Sequence, residues 1–302
     1  MGVHLVIGGG EHSEAVTTRI SAGLQSAGPV VHASSGEGRD PVVVAVRAHL
    51  DRLFAALDLP APVIADLLAR VLPPELPTLL RLAREVDQAR AQGVDLVAAV
   101  PLEVGRLLDL PQRIARTMEA FVPVVARWET LVAPPGVGSL PAPTSTLLTA
   151  LREGGELLAD LDEVLSDASG TALHLAAPAG PVGSARRADA EVLLALRGRT
   201  LTAVHPPGAA GIEYLPQVEA TARPLVERSE DVWLLRVALP GIRAGDLELV
   251  RHDDELLLQC AGRSRRVLLP SVLRRCTVER AGVAGGVLTV AMSPDEAVWP
   301  RG

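Results

Sequence analysis

Val3-His4-Leu5-Val6-Ile7-Gly8-Gly9-Gly10 opens the chain with a short, mostly apolar run that ends in three glycines. A helical pattern follows from about Ser13 to Ala27. A buried strand that turns through glycines into a helix is the opening unit of a parallel α/β sheet. The text up to about residue 215 continues in that style. Pro29–Ala33, Val94–Val100, Thr171–Ala176 and Thr200–His205 read as further strands. Helices are expected over Pro41–Leu57, Pro62–Leu72, Pro77–Gln92 and Pro101–Val132, then from a Pro/Gly-rich loop at Ala133–Pro143 to Ser166, and over Ala185–Arg197. Leu50, Leu53, Phe54 and Leu57 recur at helical spacing. Pro111 and Pro123 are the expected break points of the long central helix. The large helical share in the middle predicts a helical subdomain beside the sheet.

After about Arg223 the hydrophobic period changes to two. Val232–Ala238, Leu247–Val250, Glu255–Cys260, Arg266–Leu269, Thr277–Arg280 and Val287–Met292 read as short strands punctuated by Gly, Pro, Asp and Arg. That pattern predicts an all-β sandwich. The expected domains are residues 1–218 (α/β) and 223–302 (all-β).

With 302 residues, 48% of them hydrophobic, the chain has ample material for real cores, and wholesale disorder is excluded. All 29 basic residues are Arg; Lys and Asn are absent, the usage expected of GC-rich coding. Schiff-base chemistry, pyridoxal-phosphate anchoring and a P-loop lysine are therefore closed to this chain acting alone. A net charge of -7 argues against nucleic-acid binding through a global basic field, and six aromatic residues against base-stacking platforms. The start lacks the charged and apolar regions of a signal peptide, and the longest uncharged stretch, Thr130–Leu151, is broken by four prolines. A cytoplasmic protein without an integral membrane segment is expected.

Three stretches carry a family resemblance. Leu239-Pro240-Gly241 followed by Gly245-Asp246-Leu247-Glu248-Leu249, and Gly286-Val287-Leu288-Thr289-Val290, resemble the entry and a late strand of the α-crystallin (small heat-shock) domain. Leu268–Cys276 resembles the linker of the version attached to ArsA proteins, and Ala297-Val298-Trp299 fits it as well. The N-terminal order of strand, glycines and helix, then Val94-Asp95-Leu96-Val97-Ala98-Ala99-Val100-Pro101 with a long helix behind it, resembles the ArsA family of arsenite-pump and tail-anchored-protein targeting ATPases. The resemblance implies a P-loop-NTPase-like parallel sheet with a helical subdomain, followed by an α-crystallin-like sandwich.

The same resemblance implies a failed nucleotide site. Family members carry G-K-G-G-V-G-K-T, whose backbone N–H groups and lysines hold phosphate and whose Thr holds magnesium. Here the run is Gly8-Gly9-Gly10-Glu11-His12-Ser13-Glu14-Ala15. The lysine positions fall on Gly9 and Glu14, and the magnesium hydroxyl on Ala15. At about 4 Å and an effective dielectric near 20, a carboxylate repels a phosphate charge by about 4 kcal/mol. The family's first switch, D-P-A-H-S, leaves only Asp40-Pro41 after a shortened Ala33–Gly36, and in its second switch the magnesium-shell Asp is Ala98. The adenine-reading Asn falls near His205.

No catalytic residue and no metal site are expected. The seven histidines show no zinc-binding spacing, and Cys260 and Cys276 read as packing residues. Gly8, Gly9, Gly10, Glu14 and Ala15 form the degenerate phosphate loop, where ATP and magnesium bind weakly at most, so no cofactor is expected. By the resemblance, Leu107, Leu108, Ile114, Met118, Phe121 and Val125 line a client groove; as a bare sequence they read rather as ordinary core or subunit interface. The expected function is that of a catalytically silent, ArsA-like partner or chaperone-type subunit, paired with itself or with an active paralogue. The alternatives are a weak ATPase and a holdase for apolar segments.

Overall fold

The computed structural model describes residues 2–24, 28, 30–32, 40–56, 60, 62–63, 73–132, 142–208, 211–216, 224–229 and 232–295. The expected helix over Pro62–Leu72, the loop at Ala133–Pro143, the Ala33–Gly36 segment and Ala297–Trp299 fall wholly or mostly outside these residues. The chain divides into two compact units, Met1–Leu165 and Ser166–Gly302. The sequence reading divided it by hydrophobic period instead, near residue 220.

The first unit contains three parallel strands, β1 (Val3–Ile7), β2 (Val31–His32) and β3 (Leu96–Val100), with β3 between the other two. Val3, Leu5, Val6, Ile7 and all of β3 are buried, which is why β3 reads as an unbroken apolar run. The described helices that accompany them are α1 (Glu11–Gly23), α2 (Pro41–Ala56), α3 (Leu76–Gln92), α4 (Val104–Val132) and α5 (Ala142–Ser166). Helix α3 ends cleanly because Gly93 adopts a left-handed conformation, φ 68°. Helix α4 contradicts the expected breaks: Pro111 and Pro123 both lie inside one 29-residue helix. Burial of Leu107, Leu110, Ile114, Ala115 and Met118 along one face outweighs the roughly 3 kcal/mol that an interior proline costs.

In the second unit β4 (Thr171–Ala176) pairs in parallel with β5 (Ala203–His205), and β6 (Glu213–Tyr214) runs antiparallel to β5. Helix α6 (Gly180–Leu196) links β4 to β5 and begins five residues before its expected start, with a proline in its first turn. Beyond it lie two antiparallel sheets. One has the order β11 (Arg263–Leu268), β10 (Glu255–Cys260), β9 (Glu248–His252). The other has the order β12 (Cys276–Ala284), β13 (Val287–Pro294), β8 (Val232–Ala238), β7 (Leu225–Ser229). Leu256, Leu258 and Val267 from the first sheet share one core with Leu235, Val237, Leu288 and Val290 from the second. This is the predicted sandwich, entered by a strand, β7, whose exposed Glu227-Arg228-Ser229 gives no hydrophobic signal.

Arginine closes the sandwich at two places. Arg251 of β9 donates from Nη2 to the Arg274 carbonyl at 3.1 Å and from Nη1 to that of Cys276. Arg265 of β11 donates to the Leu196 carbonyl at 2.6 Å, capping the last turn of α6. Ala195 and Leu196 belong to the sandwich core. The core is thus completed by a helix that sequence periodicity assigned to the α/β part.

Candidate functional site

The Gly8–Ala15 run, compared above with a phosphate loop, lies at the carboxyl end of β1. Strand β1 stops at Ile7 and α1 starts at Glu11, so the connection is only Gly8-Gly9-Gly10. The Gly8 N–H donates to the Val100 carbonyl at 3.2 Å, joining this turn to the end of β3. Gly10 takes φ 76°, a left-handed value that favours glycine. Its carbonyl receives the Ser13 N–H at 3.1 Å and the Ser13 hydroxyl at 2.8 Å. Glu11 and Glu14 occupy the first turn of α1. They complement the positive end of the helix dipole, the place an anion would take. Glu14 and Ala15 are exposed. Gly8, Gly9 and Gly10 therefore form the turn, whereas Glu14 and Ala15, the positions matched to the second half of the phosphate loop, are already helical.

The other nucleotide-motif positions have structural work. The Asp40 carboxylate accepts the Val42 N–H at 2.9 Å and caps α2. The Arg84 guanidinium of α3 pairs with the same carboxylate and reaches Glu153 of α5 at 3.7 Å. Ala98 is buried in β3. His205 ends β5, buried, with its Nε2 3.2 Å from Nδ1 of His174 on β4. The position that the resemblance compares with an adenine reader thus belongs to a buried histidine pair. Cys260 and Cys276 are both buried in the sandwich core, and burial pushes both thiols up. Among the described residues no group of three or more His, Cys, Asp or Glu side chains is placed to hold a metal ion.

The six groove candidates divide between environments. Leu107, Ile114 and Met118 are buried, Leu108 and Val125 are half-buried, and Phe121 is 40% exposed. Gly154 of α5 explains the sealing of Met118. A Cβ there would lie 3.1 Å from the Met118 sulfur and 2.8 Å from a Val42 methyl, so α2, α4 and α5 meet closely at this point. The open groove on α4, about 590 Å³, runs past Gln112, Arg113, Arg116, Phe121 and Val124 instead. Helical spacing of apolar residues finds the buried face of a helix; an exposed groove of mixed character has no such signature.

In the sandwich, the stretches that carried the resemblance come together. Leu239-Pro240-Gly241 turns out of β8, and the Leu239 N–H donates to the Gly286 carbonyl at 2.7 Å. Gly286, at φ 73°, backs onto Pro240.

This fold, and the match of residues 230–292 to the HSP20-like domain found in ArsA, define a chain that ends in an HSP20-like β-domain. A 322-residue alignment with the uncharacterized protein SCO2128 of Streptomyces coelicolor shows 30% identity over 85% of this chain and 80% of that protein. The chain belongs to the same family as SCO2128. Protein Rv2184c of Mycobacterium tuberculosis is 51% identical over 69 residues, 23% of this chain and 16% of its own length. The small heat shock protein AgsA of Salmonella typhimurium, in a C-terminally truncated form, matches 26% of this chain and 94% of its own with 17% identity and a TM-score of 0.20. Among the described residues no helix is long and apolar enough to cross a membrane.

Proposed function

We propose that the chain is a binding protein derived from an ArsA-type ATPase, acting as a partner or chaperone-like subunit in the cytoplasm. Its proposed domains are residues 1–218, a degenerate P-loop-type part, and 223–302, the HSP20-like part. The observation that carries this reading is the three-residue turn between Ile7 and Glu11. A phosphate cradle needs a run of free N–H groups around the anion. This turn gives its first N–H to Val100 and is followed by two carboxylates in the first helical turn. Asp40 as a helix cap and Ala98 as a core residue support the same reading. HSP20-like domains often oligomerise, which favours pairing with a second copy or with an active paralogue.

A titration with Mg-ATP, followed by thermal unfolding, tests it. A ligand at 100 times its Kd adds about 2.7 kcal/mol of stability. The reading predicts no shift at millimolar nucleotide and ATP turnover at the buffer rate. A saturable shift with turnover would establish the weak-ATPase alternative. The holdase alternative draws on the exposed Phe121 and Val124. It requires suppression of peptide aggregation that is lost in Phe121→Asp.

A further inference from the structure

Helix α6 is fixed at both ends to different parts of the second unit. At its start a Cβ on Gly183 would lie 1.7 Å from the Pro178 carbonyl oxygen. The first turn therefore rests directly on the backbone of its own connection, with no side chain between to absorb movement. That connection is held to the sheet in turn, because the Ala177 N–H donates to the His205 carbonyl at 3.2 Å. In the middle, Arg187 binds Glu191 at 2.8 Å and grips Glu213 of β6 with two bonds of 2.6 and 2.7 Å. At its end, Ala195 and Leu196 complete the sandwich core, Arg265 caps the Leu196 carbonyl, and Arg263 pairs with Asp189 at 2.5 Å.

We propose that α6 is a coupling rod. A displacement of its first turn on the Pro178–Gly183 connection is delivered along the helix into the sandwich core, and a change in the sandwich returns to that connection. A 17-residue helix is about 25 Å long and stiff along its axis. A close-packed core responds to such a push by opening or repacking, not by smooth compression. The connection lies at the carboxyl end of β4. Movement of the connection and opening of the sandwich core are thereby linked, and the linkage acts equally in both directions.

The chain supplies its own reporter. Cys260 and Cys276 are its only cysteines, both buried in the sandwich core, so an aromatic disulfide reagent labels them only when the sandwich opens. In the full-length protein, Gly183→Ala forces the first turn away from Pro178. The expected result is thiol labelling accelerated by about fivefold or more, with secondary structure retained. Arg199→Met is the comparison variant. Arg199 is buried in the same unit, and its guanidinium donates to the Thr171 carbonyl at 2.6 Å, at the amino end of β4 opposite the Pro178–Gly183 connection, so loss of that side chain should leave the labelling rate near wild type. Wild-type labelling in a folded Gly183→Ala, or equal acceleration in Arg199→Met, overturns the proposal. Should Gly183→Ala fail to fold, Arg265→Met tests the reverse path. Amide hydrogen exchange over Val182–Arg187 should then rise about fivefold or more, and unchanged exchange there overturns the proposal.

Discussion

Among the connections that turn a parallel strand into a helix, one in each unit depends on glycine. After β1, a Cβ at Gly9 or Gly10 would meet nothing within 4 Å. After β4, a Cβ at Gly183 would collide with the Pro178 carbonyl. The first connection uses glycine for backbone shape, at Gly10 and φ 76°, and leaves open space around it. The second uses glycine for close approach of backbone to backbone. Glycines in a sequence announce neither use. The run of three, which looks like the functional loop, is the loosely packed one, and the isolated Gly183 is the constrained one.

The largest expected effect sharpens this contrast. Gly183→Ala should cost on the order of 3 kcal/mol, because a carbonyl oxygen and a methyl must separate by more than an ångström-scale adjustment of side chains can supply. Gly10→Ala should cost only about 1 kcal/mol, the strain of a left-handed alanine less the gain from a stiffer unfolded chain. Urea unfolding of both variants measures the difference. Equal costs would remove the distinction between the two connections. Between them falls Arg265→Met, expected to lose about 1–2 kcal/mol as the last turn of α6 gives up its cap. A sandwich that unfolds like wild type without that bond would mean that α6 is not part of its core.

How much of this could be read beforehand follows from what kind of signal each element has. β8 and β10 alternate buried and less buried residues, and their limits, Val232–Ala238 and Glu255–Cys260, match the sequence reading. The two-residue β6 is exposed, and β7 turns only Val226 partly into the sandwich core, so neither carries a readable period. The start of α6 was hidden by Gly180-Pro181-Val182-Gly183, which reads as a loop although Pro suits a first helical turn and Gly183 answers a packing need. For the candidate site, the sequence located the Gly8–Ala15 run but not the length of its turn. It named Asp40 as a switch remnant without revealing Arg84, which lies in another helix and pairs with it only after folding.

The opposite, amino end of β1 offers a smaller test in the first unit. His4 is held below its usual pKa by burial, with Asp95 opposing that shift. The folded state therefore binds fewer protons than the unfolded state in the window below the ordinary histidine value of 6.5. Stability is fully present above that value and falls as pH drops from it towards the folded pKa. His4→Gln should flatten this part of the pH profile of Tm. A profile unchanged by the substitution would place the acid sensitivity elsewhere.

The smallest expected effect is the most informative about function. By the resemblance to ArsA proteins, Gly9 and Glu14 correspond to two phosphate-binding lysines, and Gly9→Lys with Glu14→Lys supplies both charges. If charge alone were lacking, the double variant would bind Mg-ATP and show the saturable rise in Tm that is not expected of the wild type. The geometry predicts no such rise. Glu14 is fixed in the first turn of α1, and the turn before it is three residues long with its first N–H already bound to Val100. Lysines placed there attract phosphate without the converging N–H groups that orient it, so attraction remains diffuse and is screened by salt. Nucleotide binding recovered in the double variant at 0.15 M salt would show that the open space around Gly9 and Gly10 is a usable cradle after all, and the contrast between the two connections would then be one of charge and not of shape.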